Sequence, residues 1–286
     1  MIRKFTLLGS LVAAVALVAS ACTPGGPAAQ TFKVRPTAIN VVDGEDNDAG
    51  DEPYVIQVGF RSKVGVAKSS SAQISSQCRT GTLPTTEAPD GTTVTIPAGA
   101  ADVNLAGVQN LDIGDIAMNN APFEIIGALT FVAERDAIFN TCALTDAFDS
   151  LLVPILTDAL DLLIAAQPVP PTQEQLIALL TDNIGSVLSG VLSFVGTILE
   201  GLGNPDDIVG VTAQVLLPFS GALAGLVDAG LAIGGIFQPG LETGILPVDS
   251  TGLKIRIGNL QPSVTKFTLE NPGIATYEYT STVTAG

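Results

Sequence analysis

Strand-like alternation returns at the very end of this chain, after a long helical stretch, and a strand at that position must find a sheet built elsewhere. Leu253, Ile255 and Ile257 alternate with Lys254 and Arg256, and Tyr277, Tyr279 and Val283 alternate with Glu278, Thr280 and Thr282. The candidate partners stand at the other end. Residues 32–42 are rich in branched side chains, and residues 54–66 place Tyr54, Ile56, Val58 and Phe60 on one face at period two. Shorter pieces follow at residues 92–96 and 123–132, separated by Pro-, Gly- and Asn-rich connections. The economical architecture is therefore α+β: an antiparallel β-sandwich from residues 31–135 plus 253–286, carrying an inserted hydrophobic helical segment over residues 143–240.

Inside that insertion the period changes. Phe148, Leu151, Leu152, Ile155, Ala159, Leu162 and Leu163 recur at three and four, with Pro154 placed to kink the helix they predict. Pro168, Pro170 and Pro171 end it, and Thr172 with Gln175 forms a capping-box pattern for a second helix. Its apolar stripe is Leu176, Leu180, Ile184, Val187, Val191, Val195 and Ile198. A third helical region is expected over residues 207–237, broken at Pro218 and stopped by Pro239 and Gly240. Gly221 and Gly225, then Gly230 and Gly234, recur at four-residue spacing, which lets helices approach closely. The expectation is that the helices pack on one another through this face. Residues 208–227 carry no charge over 20 positions, a length that reaches across a bilayer, although Thr212, Gln214, Pro218 and Ser220 weaken a spanning role.

The first 21 residues follow the plan of an export signal: Arg3 and Lys4, an apolar run from Phe5 to Val18, and the small exit Ala19, Ser20, Ala21. Cys22 follows at once. The segment resembles the lipobox of bacterial lipoproteins, with Ala19 where leucine is commoner, and the resemblance covers residues 1–22 alone. It implies that Cys22 becomes the lipid-bearing N-terminus and that the protein is held to a membrane, outside the cytoplasm, in a bacterial cell envelope. Ordinary cleavage at the same point, leaving Cys22 unmodified, is the other reading. Residues 22–30, rich in Pro, Gly and Ala, are expected to act as a flexible tether.

Charge and residue types exclude much. The leader takes two of the 12 basic residues and no acidic one, leaving 10 against 28 and a net charge of −18. Such a surface repels nucleic acid and anionic headgroups. No histidine occurs, which removes Ser-His-Asp and Cys-His sites and histidine-ligated zinc. With Cys22 assigned to the lipid, Cys78 and Cys142 are left as an even pair in an oxidising compartment and are expected to form a disulfide. From Asp136 to Ser250 there are 13 acidic residues and no basic one, so no ion pair forms within the insertion.

Three candidate sites remain. Residues 43–52 gather six carboxylates, Asp43, Glu45, Asp46, Asp48, Asp51 and Glu52, between two strands. That density suits a hard cation such as Ca²⁺, without EF-hand spacing, or a solvated acidic hairpin tip. Asp112 with Asp115, and Asp206 with Asp207, are paired carboxylates whose commoner role is in turns and caps. The helical insertion is the third, as a contact surface or pocket. The expected function is a lipid-anchored envelope protein serving as a non-enzymatic binding or structural module, touching an envelope partner protein; the alternative is a carrier or sensor of apolar, lipid-like ligands.

Overall fold

The computed structural model describes residues 27–44, 50–112, 115–116, 121–135, 142–165, 167, 184–202, 207–221, 224–225, 253–272 and 274–286. Among the described residues ten strands form two five-stranded sheets. In the first, β1 (Gln30–Asp43) lies between β10 (Ala275–Ala285) and two short strands, β4 (Thr93–Thr95) and β5 (Val103–Val108), while β9 (Ser263–Asn271) forms the far edge beyond β10. The last strand joins the N-terminal sheet as expected, and its partner there is the first strand, antiparallel from Phe32 opposite Ala285 to Asp43 opposite Thr276. Pro36 has no N–H to give the ladder, and the register shifts beside it.

The second sheet runs β3 (Ser71–Ser76), β2 (Tyr54–Lys63), β6 (Glu124–Ala133), β7 (Ile208–Leu217), β8 (Lys254–Asn259). All neighbours are antiparallel except β7 and β8, which are parallel. An all-antiparallel arrangement is corrected by that one pair. Every residue of β6 is buried, and nine of the ten in β7. A strand covered on both faces reads as a continuous apolar run rather than an alternating one.

That double burial overturns the third predicted helix up to Pro218; beyond it Gly221, Ala224 and Gly225 are helical, and residues 226–237 lie outside the described residues. Residues 208–217 are strand, and the charge-free run that looked long enough for a bilayer is a central strand ended by Pro218. Five of its ten residues are branched at Cβ (Ile208, Val209, Val211, Thr212, Val215), the composition that favours strand when periodicity is silent. The segment 143–240 is thus helical only in part, and it contributes one strand to the second sheet. Among the described residues no helix is long and apolar enough to cross a membrane.

Helices cover the face of the second sheet that carries Tyr54, Ile56, Val58 and Phe60. After β3 comes the single turn α1 (Gln77–Thr80). Farther on, α2 (Ala143–Ala147) and α3 (Val153–Leu160) run end to end, joined by a π turn, Phe148–Leu152, and followed by another, Asp161–Ala165. Leu144, Phe148, Leu152, Leu156, Leu160 and Ile164 point into the sheet, whereas Leu151, Ile155 and Leu162 are exposed. The predicted stripe is right at Phe148 and Leu152, partly right at Ala159 and Leu163, which pack on the same cluster half-buried, and wrong at Leu151, Ile155 and Leu162, because a π turn takes in an extra residue and rotates the face. Pro154 lies just after the first π turn, and the helix continues through it. In α4 (Ile184–Leu202) Val187, Val191, Val195 and Ile198 are buried as expected, and Ser186, Ser193 and Thr197 face outward.

α3 and the π turns lie on the sheet, and α4 packs on α2, α3 and the first π turn, so the helices do bury one another, but not through the predicted glycines Gly221 and Gly225. A Cβ added at Gly221 or Gly225 would meet nothing within 4 Å, so the expected glycine face fails at both; Gly230 and Gly234 lie outside the described residues. Carboxylates of the helical layer find their partners on the flanks of β3. Asp146 and Asp149 receive the Arg79 guanidinium at 3.2 and 2.8 Å, and the Asp161 carboxylate accepts the N–H groups of Lys68 and Ser70 at 2.8 and 3.0 Å. Cys78 and Cys142 are disulfide-bonded beside the Arg79 cluster, Cα–Cα 5.6 Å.

Candidate functional site

Between the two sheets, apolar packing is split in two. One cluster gathers Ile39, Val41, Val55, Val132, Val209, Phe267, Leu269 and Tyr277; another gathers Phe32, Val34, Val103, Ile126, Leu216, Leu260 and Val283. A buried polar seam lies at the same level of the layer. Gln57 on β2 stands opposite Thr130 on β6, Thr130 opposite Thr212 on β7, and Thr212 opposite Lys254 on β8. One step along, Gln214 stands opposite Arg256. From the first sheet Tyr279 and Ser281 of β10, and Thr265 of β9, are buried toward the same layer.

Most of this seam is satisfied internally. The Gln57 amide donates to the Val34 and Ala101 carbonyls at 3.2 and 2.9 Å, and its oxygen accepts from the Tyr279 phenol at 3.2 Å and the Thr130 hydroxyl at 2.9 Å. Ser281 donates to the Gln214 side-chain oxygen at 2.9 Å, sheet to sheet. An unmade bond at such depth costs about 1–3 kcal/mol, so a complete set fixes how the sheets align. Burial pushes the Tyr279 phenol up to about 12, against the pull of its Ser281, Thr130 and Gln57 partners. It is therefore a proton-bearing hydrogen-bonding group at any neutral pH.

Two members are not satisfied. The hydroxyls of Thr212 and Thr265 are buried with no hydrogen-bond partner. Arg256 stands at the outer end of the same seam. Ile255 and Ile257 turn to the helical face, so alternation turns Arg256 to the inter-sheet side beside Gln214. Every other arginine among the described residues holds a carboxylate: Arg35 Asp102, Arg61 Glu124, Arg79 Asp146 and Asp149, Arg135 Glu52. Among the described residues Arg256 forms no such pair, and its burial holds the guanidinium below its ordinary pKa.

The residues singled out from sequence are placed differently. β1 and β2 belong to different sheets, so residues 43–52 form no hairpin tip but pass from one sheet to the other. Glu45, Asp46 and Asp48 lie outside the described residues; Asp43 is exposed. Asp51 is buried, exchanges backbone hydrogen bonds with Ala88, and accepts the Tyr277 phenol at 2.5 Å; Glu52 is paired with Arg135 at 3.1 Å. These two carboxylates hold the connection in place, and no metal-ligating group of three or more acidic or cysteine side chains occurs among the described residues. Asp112 and Asp115 exchange bonds with each other's backbone N–H at 3.0 Å, a turn role as expected. Asp206, like Cys22, Thr172 and Gln175, lies outside the described residues, and the Asp207 carbonyl accepts the Glu134 N–H.

The seam was missed although it had a signal. Gln57 in Val-Ile-Gln-Val and Gln214 in Thr-Ala-Gln-Val each interrupt an apolar run, and a long amide there must be bonded once buried. Arg256 had none, since an arginine alternating with isoleucines is the ordinary outward residue of an edge strand. No protein-family model, no curated protein and no solved structure matches this chain.

Proposed function

We propose that this chain is a lipid-anchored protein of a bacterial cell envelope whose domain is a β-sandwich carrying helices on one outer face, acting as a non-enzymatic binding or structural module. The observation that carries the reading is the leader ending at Cys22, followed within eight residues by a strand locked into a sheet. At most about 3.5 Å per residue, the connection holds the start of β1 within roughly 30 Å of the anchor. That end of the domain also holds the end of β10, where the Gly286 N–H donates to the Thr31 carbonyl at 2.7 Å. The disulfide between Cys78 and Cys142 fits the oxidising side of a membrane.

Cys22→Ser tests the anchor. The variant is expected to leave the membrane fraction and appear in the soluble extracytoplasmic fraction, still folded. A variant that stays as firmly bound as wild type contradicts the reading. The alternative, contact with apolar ligands or an envelope partner through the helical layer, rests on Leu151, Ile155 and Leu162, apolar side chains exposed on one helix. Mass spectrometry of lipids co-purifying with the chain separates the two, since the module reading expects none in stoichiometric amount.

A further inference from the structure

The outer end of the inter-sheet seam has the makings of a ligand site that the anchoring role does not use. Ser281 and Gln214 are bonded across the gap between the sheets. One strand farther out on the first sheet, Ser281 stands opposite Thr265; one strand farther out on the second, Gln214 stands opposite Arg256. The two registers thus bring Thr265 and Arg256 to the same end of the layer on opposing sheets, with Thr212 two residues from Gln214 on β7 and Lys254 opposite Thr212. Sheets packed face to face are about 10 Å apart, a gap that an arginine side chain enters without filling.

We propose that this end of the layer, between β8 and β9, binds a carboxylate monoanion, held by the Arg256 guanidinium and by the hydroxyls of Thr212 and Thr265. The donor set is what selects the ligand. A guanidinium presents parallel N–H donors that match a carboxylate fork, and Thr212 and Thr265, 0% and 6% exposed, carry hydroxyls with no hydrogen-bond partner. Two cations, Lys254 and Arg256, stand at successive positions of one strand face and form no ion pair among the described residues, in a chain where acids outnumber bases 28 to 12. The loss of hydration that lowers the Arg256 pKa is regained when an anion arrives. The strongly negative remainder of the molecule opposes each further charge on the ligand, which favours a monoanion over phosphate.

The test is a nuclear magnetic resonance titration of the purified chain with sodium acetate and, separately, sodium phosphate, at constant ionic strength set by sodium chloride. Acetate is expected to produce saturable shifts at the backbone amides of Arg256, Thr212 and Thr265. Arg256→Gln should weaken acetate by about tenfold or more, the worth of a hydrogen bond to a charged group. Thr265→Val, which keeps every charge, should weaken it less, and it carries the test if the arginine variant fails to fold. Linear shifts that never saturate, tighter binding of phosphate than acetate, or acetate binding untouched by both substitutions would each overturn the proposal. A crystal structure grown in acetate that shows only ordered water between Arg256 and the two hydroxyls would do the same.

Discussion

Gln57, Gln214 and Tyr279 are expensive residues to bury, and their positions show which constraint each serves. Each is bonded to another element, so the seam sets the alignment of two sheets that apolar clusters alone would allow to slide. The Tyr279 phenol gives this a pH signature. Below about pH 10 folded and unfolded phenols are both protonated and the contribution to stability is whole; from there to about 12 only the unfolded phenol ionises, and stability falls by about 1.4 kcal/mol per unit. Urea unfolding at about pH 9, 10 and 11 should show this slope in wild type and a shallower one in Tyr279→Phe; equal slopes would contradict it. Two glycines make a sharper contrast. An added Cβ at Gly127 would strike the backbone oxygen of Gln214 and the Phe60 ring, so Gly127→Ala should cost roughly 1–3 kcal/mol, whereas Gly225→Ala should stay within about 0.5 kcal/mol of wild type. Calorimetry of the two decides it. The four-residue glycine spacing in the sequence pointed at Gly225, but spacing says nothing about what stands opposite, and Gly127 was hidden in an apolar strand.

At the scale of elements, the first helix and β7 show where periodicity succeeds and where it fails. Buried residues in the helix fall every fourth position from Leu144 to Ile164. On an unbroken α-helix each four-residue step over-rotates by about 40°, and five steps would carry the stripe about 200° around. The π turns at Phe148–Leu152 and Asp161–Ala165 take up that drift and keep the stripe on the sheet. Accordingly Leu156→Ala should cost about 2–5 kcal/mol and Leu162→Ala about 0.5 kcal/mol or less, read by chemical denaturation; the reverse order would place the helix on its other face. A search at a period of 3.6 had chosen Ile155 and Leu162 instead. For β7 no periodicity existed to read, because both faces are buried, and its mostly branched and apolar residues fit a buried helix as well as a central strand. β3, with the polar sequence Ser-Ala-Gln-Ile-Ser-Ser, was illegible for a different reason: it is an edge strand, and its pairing with β2 supplies what its side chains do not.

For the whole molecule, the ends of the chain were the legible part. A terminal strand needed a partner, the odd cysteine count left one pair, and both inferences correspond to contacts in the structure, β1 with β10 and Cys78 with Cys142. The switch of sheets between β1 and β2 was not legible, since an acidic connection has the same composition whether it turns back on itself or crosses a layer. What fixes the crossing is the buried Asp51 bond to Tyr277, 226 residues away in sequence. The molecule that results has one end, at the start of β1, close behind Cys22, and its disulfide and helical layer on the second sheet. The proposed function requires Cys22 to be the point of attachment. The most direct measurement is mass spectrometry of the N-terminal peptide of the chain isolated from its native membrane. A peptide beginning at Cys22 that carries the added mass of a lipid is expected; a peptide beginning at Cys22 without it, or one that still contains residues of the leader, would contradict the proposed anchoring.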